Sequence, residues 1–586
     1  MPFVPKVLIQ EKSDSGKSRW LEFQQPDRII AVRAIAEVIP ALAEISAVVQ
    51  RGWWAAGFLA YEAAPAFDPA LQTRRPGPLP LLWFGLYRAR HVRARPAFPS
   101  LGKNSPSAFQ ALEKSWSAAV TPTAFRRAIT AIRRKIAAGE TYQVNYSFRL
   151  RAPWRGDFGA LAATLLADGQ TGYGAFLDLG DHALCSLSPE LFFRRDGTRI
   201  VCRPMKGTAP RGLMLAEDER IAEDLRTSAK NRAENIMIVD MVRNDLGRLA
   251  RPGSVHTENL FAVERHATLW QMTSTVTAQT RAGWPEVFRA LFPCASITGA
   301  PKVQTAKIIA GLETAPRGIY TGALGFLAPN QRAQFNVAIR TLHLDRQHGR
   351  LEYGTGAGIT WDSRAAAEWQ ECRTKALVLA PTPHFDLLET LRWEPGHGYE
   401  LLSRHLRRMA DSAKYFGFDF RRVQVLARLR AATNKFSATP QRIRLLLDRT
   451  GQIRIEATPL PHPKVWKIAL AHNPVDSSDR FLFHKTTRRA VYEAARQQQP
   501  GCDDVILFNE CGELTESCFA NLVVVRRGRW LTPPVACGLL AGTLRAKLLA
   551  KGKLIEKVLR VSDLKKSDHI LLINSVRGII STQWDI

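Results

Sequence analysis

The sequence has no apolar run long enough to cross a bilayer, no CxxC pair, and few acidic residues for its length. The first absence removes a membrane-spanning helix. The second argues against zinc: the cysteines (Cys185, Cys202, Cys294, Cys372, Cys502, Cys511, Cys518 and Cys537) are scattered, so reduced thiols are expected. Residues 1–7 also lack the charged-then-apolar order of a signal peptide, from which a cytoplasmic protein is expected. The third leaves 82 Lys and Arg against 53 Asp and Glu, a formal charge of +29. A basic surface attracts phosphate chains without any specific motif. Here the cations run through every segment instead of massing in a tail or helix stripe, which suits small acidic substrates better than nucleic acid. Nucleotide motifs are missing too. Residues 298–302 (Thr-Gly-Ala-Pro-Lys) lack the first glycine and the Gly-Lys-Ser/Thr order of a P-loop, and Gly354, Gly356 and Gly358 do not space as G-x-G-x-x-G.

What is present is an ordinary globular composition, 46% hydrophobic and 23% charged, in a chain of 586 residues that is too long for one core. Strands are predicted over 53–62 and 79–87, followed by a polar link over 96–117. From Thr121, Phe125, Ile129, Ile132 and Ile136 recur at helical spacing up to Gly139, and alternation over 140–149 then predicts a strand. A single helix is predicted over 215–242, with Glu234 and Ile238 sharing a face with Met241. A helix over 303–312, strands over 322–326 and 335–342, and a helix carrying Glu368 and Glu371 come next. The two-proline stretch 379–384 reads as a linker. Beyond it, helices are predicted over 404–416 and 485–498, and strands over 442–447 and 504–508. The expected domains are therefore 1–115, 116–378 and 385–586, joined by the 379–384 linker.

Lys206 lies between Pro204 and Gly207, just after a strand predicted over 198–202, and so is expected on a shaped turn. A lone turn lysine is more often a surface group. Its neighbours reverse that preference.

In order along 120–378 stand Tyr-Gln-Val-Asn at 142–145, Ser-Pro-Glu at 188–190, Pro-Met-Lys-Gly-Thr at 204–208 and the run 234–247. Ser-Ile-Thr-Gly-Ala-Pro-Lys at 296–302, the glycine-rich 353–359 and Glu-Trp-Gln-Glu-Cys at 368–372 follow. The set resembles the chorismate-utilising enzymes. That resemblance implies an antiparallel α/β/β/α fold, chorismate as substrate, and Mg²⁺ held by Glu234 and Glu371 with Glu368 close by. It also implies a substrate site built from Arg340, Gly356, Ala357, Gly358, Thr298, Tyr353 and Lys375. Within the family Lys206 is the discriminator, because the anthranilate and isochorismate branches carry alanine there and the branch forming 4-amino-4-deoxychorismate carries lysine. Gln271 stands where the anthranilate branch usually has histidine, and Gln143 about where the isochorismate branch has a basic lysine. The implied chemistry is covalent: a neutral Lys206 attacks the ring, and ammonia displaces it. No Gly-x-Cys-x-Gly elbow of a glutaminase occurs in the sequence, so ammonia is expected from solution or from a separate glutamine amidotransferase subunit. An anthranilate- or isochorismate-type first half is the alternative.

A second set occupies 385–586: Leu-Glu-Thr-Leu-Arg at 388–392, His-Leu-Arg-Arg at 405–408, His-Lys-Thr-Thr at 484–487, residues 512–517 with Asn521, and 538–545. It resembles the class IV (fold-type IV) pyridoxal-phosphate enzymes, among them D-amino-acid aminotransferases and aminodeoxychorismate lyase. The resemblance implies that Lys485 bonds to the cofactor aldehyde and that Glu516 pairs with the ring nitrogen. It places Arg408 at the phosphate, with backbone N–H groups of Thr543 and Leu544 and a side chain at Asn574 or Ser575. A homodimer through this domain is also expected. The opening hairpin of that family is missing here, which leaves Arg392, Arg442 and Arg444 as candidates for substrate carboxylates. Together the halves suggest a synthase joined to a lyase that yields 4-aminobenzoate for folate synthesis. The alternatives are an aminotransferase in the second half, or an idle docking module with a basic nucleic-acid-binding surface, against which the intact Lys485 and Glu516 argue.

Overall fold

The computed structural model describes residues 3–13, 16–99, 101, 112, 115–166, 172–379, 384–460, 462 and 464–584. The chain divides into two compact units, Met1–Pro210 with Glu223–Thr382, and Arg211–Ala222 with Pro383–Ile586. Among the described residues no helix is long and apolar enough to cross a membrane.

The first unit is two antiparallel sheets. One runs from Gly299–Ala300 through Gln143–Pro153, Arg350–Ile359, Thr341–Asp345, His182–Ser186 and Ala175–Asp178 to Lys6–Lys12, Ser18–Phe23 and Val92–Arg95. The other runs from Met205–Pro210 through Leu269–Gln279, Arg199–Arg203, Leu191–Asp196, Arg332–Val337 and Ala323–Ala328 to Trp54–Leu59, Leu82–Tyr87 and Arg28–Val32. Because successive strand residues face opposite sides, each sheet has an inner and an outer apolar face. Val7, Phe23, Leu177 and Leu184 of the first sheet meet Phe58, Trp83 and Phe326 of the second between the layers. Helices Ile35–Gln50, Ala229–Gly247 and Trp284–Leu291 cover the outer face of the second sheet. Helices Pro122–Ala137, Phe158–Leu166, Lys302–Leu312 and Ala365–Ala376 cover the outer face of the first. This is the α/β/β/α arrangement, and the N-terminal strands complete both sheets.

Local chemistry explains where expectation and structure agree. The helix Pro122–Ala137 begins with Thr121 Oγ1 accepting from the Ala124 N–H at 3.1 Å, and it buries Phe125, Ile129 and Ile132. The helix expected over 215–242 is instead two, Leu215–Thr227 and Ala229–Gly247. Ser228 leaves helical geometry at ψ 112° and caps the second helix through its hydroxyl. The strand expected over 335–342 also splits, into Arg332–Val337 and Thr341–Asp345, which lie in different sheets. The chain changes sheet at Arg340, whose φ is +50°. Lys206 is on the strand Met205–Pro210 and not on a turn. Of the 379–384 linker, residues 380–383 lie outside the described residues, as does much of the 96–117 link.

The second unit has a four-strand sheet, Gly398–Tyr399, Leu387–Glu394, Gln441–Leu447 and Ile453–Pro459, and a mixed eight-strand sheet. The helix Leu402–Phe416 packs Leu406, Met409 and Ala413 on the smaller sheet and ends at Gly417 with φ +77°. The helix expected over 485–498 covers only Ala490–Gln497. Thr486 is held against Leu387 by a β-bridge, so Lys485 sits on extended chain. The segment Arg211–Ala222, which lies within the expected 116–378 domain, is counted with this unit. A buried Arg211–Asp218 pair at 2.7 Å anchors the excursion, Tyr415 donates to the Gly212 carbonyl at 2.7 Å, and His484 Nε2 lies 3.1 Å from the Leu213 carbonyl. Those partners are some 200 residues downstream, beyond the reach of any local pattern.

One polar network braces the interior of the first unit. Arg317 and Glu313, with 1% and 3% of their side-chain surfaces exposed, pair at 2.6 Å. Arg317 also donates to the carbonyls of Asn145 at 2.7 Å and Ile297 at 3.0 Å, while Glu313 accepts from the Ser147 N–H and hydroxyl. Glu313→Ala would strand a buried guanidinium, at a cost of about 3–5 kcal/mol. Calorimetry should show an unfolding transition lowered by several degrees, and an unchanged profile would remove this pair as an anchor.

Candidate active sites

A cavity of about 340 Å³ opens in the first unit, with Lys206, Glu190, Glu234, Arg340, Glu371 and Lys375 on its wall. Lys206 is placed by its backbone. Its strand pairs with Leu269–Gln279, and the register slips between Met205 and Thr208, where Gly207 takes φ +94°. Asn235 Nδ2 donates to the Lys206 carbonyl at 3.3 Å and Gln271 Nε2 to the Gly207 carbonyl at 2.8 Å, so a helix and a strand grip the bulge. The Lys206 amine makes no hydrogen bond among the described residues. Burial lowers its pKa from the ordinary lysine value, partly opposed by Glu234, while Lys375 adds to the lowering.

Glu190 faces the same cavity and was given no role by the sequence, although it ends the Ser-Pro-Glu segment. Burial pushes its carboxyl up to about 7 against the hydrogen bond from the Ser296 hydroxyl at 2.6 Å. It is therefore poised to carry a proton near neutrality.

Of the residues expected to bind substrate, Arg340, Gly356, Gly358, Tyr353 and Lys375 reach the cavity. Thr298 and Ala357 do not line it. Thr298 is fully buried, with its hydroxyl on the carbonyls of Cys294 and Ala295, and the Ala357 side chain packs among Phe125, Tyr146 and Ile309 on the helix-covered face. Strand alternation forces that outcome, because Gly356 and Gly358 face inward and the residue between them must face out. Glu234, Glu368 and Glu371 share the cavity wall, yet no group of three His, Cys, Asp or Glu converges as a metal-binding cluster among the described residues. Glu371 is held instead by Lys375 Nζ at 2.8 Å, and Lys375 also donates to the Gly356 carbonyl. A set of separated hard-oxygen donors suits Mg²⁺ that takes part of its shell from a bound substrate.

A second cavity, of about 510 Å³, brings together Lys485, Glu516, Arg408, Thr543, Leu544, Asn574 and Ser575 in the second unit. Burial, then Arg408, brings the Lys485 pKa down to about 8. Glu516 is buried and pushed up to about 7 by that burial, although Tyr492 donates to Oε1 at 2.9 Å and Asn521 to Oε2 at 3.2 Å. A carboxylate so enclosed is relieved by a cationic ring N–H, which fits the pyridoxal-phosphate assignment. Tyr492 is a partner that the sequence did not suggest. Arg408 already spends Nε and Nη2 on Glu389, at 2.8 and 2.7 Å, and Nη1 on the Ala541 carbonyl at 3.0 Å. Burial would raise Glu389, but Arg408 and His405 hold it down to about 2. His405 in turn contacts the Thr543 hydroxyl at 3.2 Å. Asn574 spends its amide on Val576, Arg577 and Phe519, leaving Ser575 the better side-chain donor. Arg392 is paired with Glu394, whereas Arg442 and Arg444 are on the cavity wall.

Residues 11–381 match the family described as chorismate binding enzyme, and residues 386–583 match the family described as amino-transferase class IV. Aminodeoxychorismate synthase of Streptomyces griseus is 42% identical over 263 residues, covering 44% of this chain and 35% of that protein. Anthranilate synthase component 1 of Streptomyces coelicolor is 38% identical over 269 residues, covering 45% and 52%. The chain thus spans about a third to a half of the length of these relatives. A 2,3-dihydroxybenzoate-specific isochorismate synthase of Bacillus anthracis superposes with a TM-score of 0.53 at 18% identity, over 64% of this chain and 95% of that one, a likeness of fold.

A Cβ on Gly358 would lie 2.4 Å from Gln143 Nε2 and 2.8 Å from Lys206 Nζ. Gly358→Ala should therefore displace the lysine and cut turnover by at least ~10-fold with the melting point nearly unmoved; full turnover would mean that Lys206 needs no such placement. Because the neutral form of Lys485 grows as pH rises through about 8, apoprotein should take up pyridoxal phosphate faster with pH up to that value and level off above it. An uptake rate constant from pH 6 to 9, followed by absorbance, would refute this.

Proposed function

The chain belongs to the chorismate binding enzyme family, and on that premise we propose that its first unit forms 4-amino-4-deoxychorismate from chorismate and ammonia. Its second unit then eliminates pyruvate from that product to leave 4-aminobenzoate. The observation that carries this reading is Lys206, an amine lowered by burial and aimed into the cavity of a family whose other branches need no nucleophilic lysine there.

Neutral Lys206 attacks ring C2 as the 4-hydroxyl departs, and protonated Glu190 supplies the proton that turns the hydroxyl into water. Ammonia then bonds to C4 while the C2–Lys206 bond breaks, and the Glu190 carboxylate takes the proton that the new ammonium must lose. Arg340 holds a substrate carboxylate. Mg²⁺, held by Glu234 and Glu371 with Glu368 adjacent, would add positive charge beside another carboxylate. Ammonia comes from a separate glutamine amidotransferase subunit or from solution.

In the second unit pyridoxal phosphate, joined through Lys485, would supply the electron sink. Glu516 would pair with the cofactor's ring nitrogen, and the Lys485 amine would take the proton at substrate C4 as the C3–O bond breaks; the departing enolpyruvate then gains one proton at its methylene carbon and becomes pyruvate.

The names of the relatives supply two alternatives, an anthranilate-forming first unit and an aminotransferase second unit. Purified chain given chorismate, an ammonium salt, Mg²⁺ and pyridoxal phosphate should yield 4-aminobenzoate and pyruvate in equal amounts. Lys485→Ala should stop at aminodeoxychorismate with no pyruvate, whereas an anthranilate former would still release it. Lys206→Ala should lower aminodeoxychorismate formation by at least ~10³-fold, and a wild-type rate would sink the covalent role. Amino transfer to a keto acid without pyruvate release would favour the aminotransferase.

A further inference from the structure

The second cavity carries more positive charge than a cofactor phosphate needs. Three of its cations have acidic partners: Arg408 pairs with Glu389, Arg444 with Glu456 at 2.9 Å, and Lys464 with Asp503 at 2.5 Å, while Lys485 is the reacting amine and Arg489 donates to the Cys518 carbonyl. Arg442 and Arg577 have no ion pair among the described residues. Arg442 donates from Nε to Thr458 Oγ1 at 3.2 Å, and Arg577 lies over the Trp466 ring at 5.1 Å. Both are rigidly mounted. Arg442 is on the strand Gln441–Leu447, where Ile443 and Leu445 point into the core and so turn Arg442 the other way. Arg577 is in the turn between His569–Asn574 and Gly578–Trp584, fixed by its N–H to Asn574 Oδ1 at 2.8 Å and by Gly578 at φ +75°.

The two arginines act on each other: burial, then Arg442, lowers the Arg577 pKa, with only Asp504 opposing. Holding two like charges on a cavity wall without a counter-ion is unfavourable unless a ligand brings one. The cations that bear most strongly on Lys485 are Arg408 and Arg489, which sets this pair apart from the reacting amine.

We propose that Arg442 and Arg577 form a carboxylate subsite that receives the ring carboxylate of the second unit's substrate, para to the amine, and so select an aminoaryl or aminocyclohexadienyl acid over an ordinary amino acid. Two guanidinium forks give a planar carboxylate directed hydrogen bonds that no single cation matches. The inference rests on the lyase reading of this unit, and it names the group that makes the substrate recognisable. A monocarboxylate amino acid leaves the pair uncompensated, so the same arginines exclude it.

The test uses full-length chain loaded with pyridoxal phosphate, as wild type, Arg442→Gln and Arg577→Met, each first shown to keep the visible absorbance of bound cofactor. Calorimetric titration with 4-aminobenzoate should show binding weakened about ten- to hundredfold in each variant. The neutral isostere 4-aminobenzamide should bind wild type as weakly as the acid binds the variants, with no further loss on substitution. Unchanged 4-aminobenzoate affinity in both variants, or equal affinity of wild type for acid and amide, overturns the subsite. Pyruvate release by wild type is scored separately. Arginine-dependent binding without pyruvate release supports the subsite and sinks the lyase step, and pyruvate release with arginine-independent binding does the reverse.

Discussion

An amine can attack carbon only when it is neutral, and a lysine in water at neutral pH is not. In both halves of this chain burial lowers the pKa of a cavity lysine, with different surroundings. Lys206 stands among carboxylates that favour its charged form, so burial must outweigh them, with Lys375 helping. Lys485 has two arginines acting with burial, Arg408 and Arg489, against the carboxylates of Glu389 and Glu516. The first arrangement sets an amine among carboxylates. The second sets one among arginines as well.

Enclosure alone does not aim a flexible side chain, and in the first unit the backbone does. The bulge at Lys206 is gripped by Asn235 from a helix and Gln271 from a strand, while Gly358 leaves the space that the amine fills. Arg317 and Glu313 then tie the segments carrying Asn145 and Ile297 into one block, so two walls of the cavity share a single buried ion pair. In the second unit the Glu389–Arg408–His405–Thr543 chain plays the comparable part, linking a strand, a helix and the start of another helix.

The joining of the halves has a chemical logic. In the proposed reaction sequence the first product would carry its amine para to its ring carboxylate, and the second cavity has on its wall a lysine and two arginines, Arg442 and Arg577, without an ion pair among the described residues. The chain also passes between units directly after the strand of Lys206, since Pro210 ends one and Arg211 begins the segment counted with the other.

What the sequence by itself marked out was a set of candidate residues. The strand and helix periods of 121–149, the ordered motifs of the first half and the lysine, glutamate and arginine of the second are local signals, and the structure gathers Lys206, Glu234, Arg340 and Glu371 in one cavity and Lys485, Glu516 and Arg408 in another. Tertiary structure alone decided the rest. Whether Ala357 reaches the site depends on which side of its strand faces the cavity, and Thr298 is turned inward at the end of the short helical turn Ala295–Ile297; the motif string records neither. The break at Ser228, the sheet change at Arg340 and the excursion of Arg211–Ala222 depend on partners far away in the chain. Glu190 gains its raised pKa, and Arg442 and Arg577 their shared lack of an acid, from burial and neighbours that exist only once the chain has closed around them.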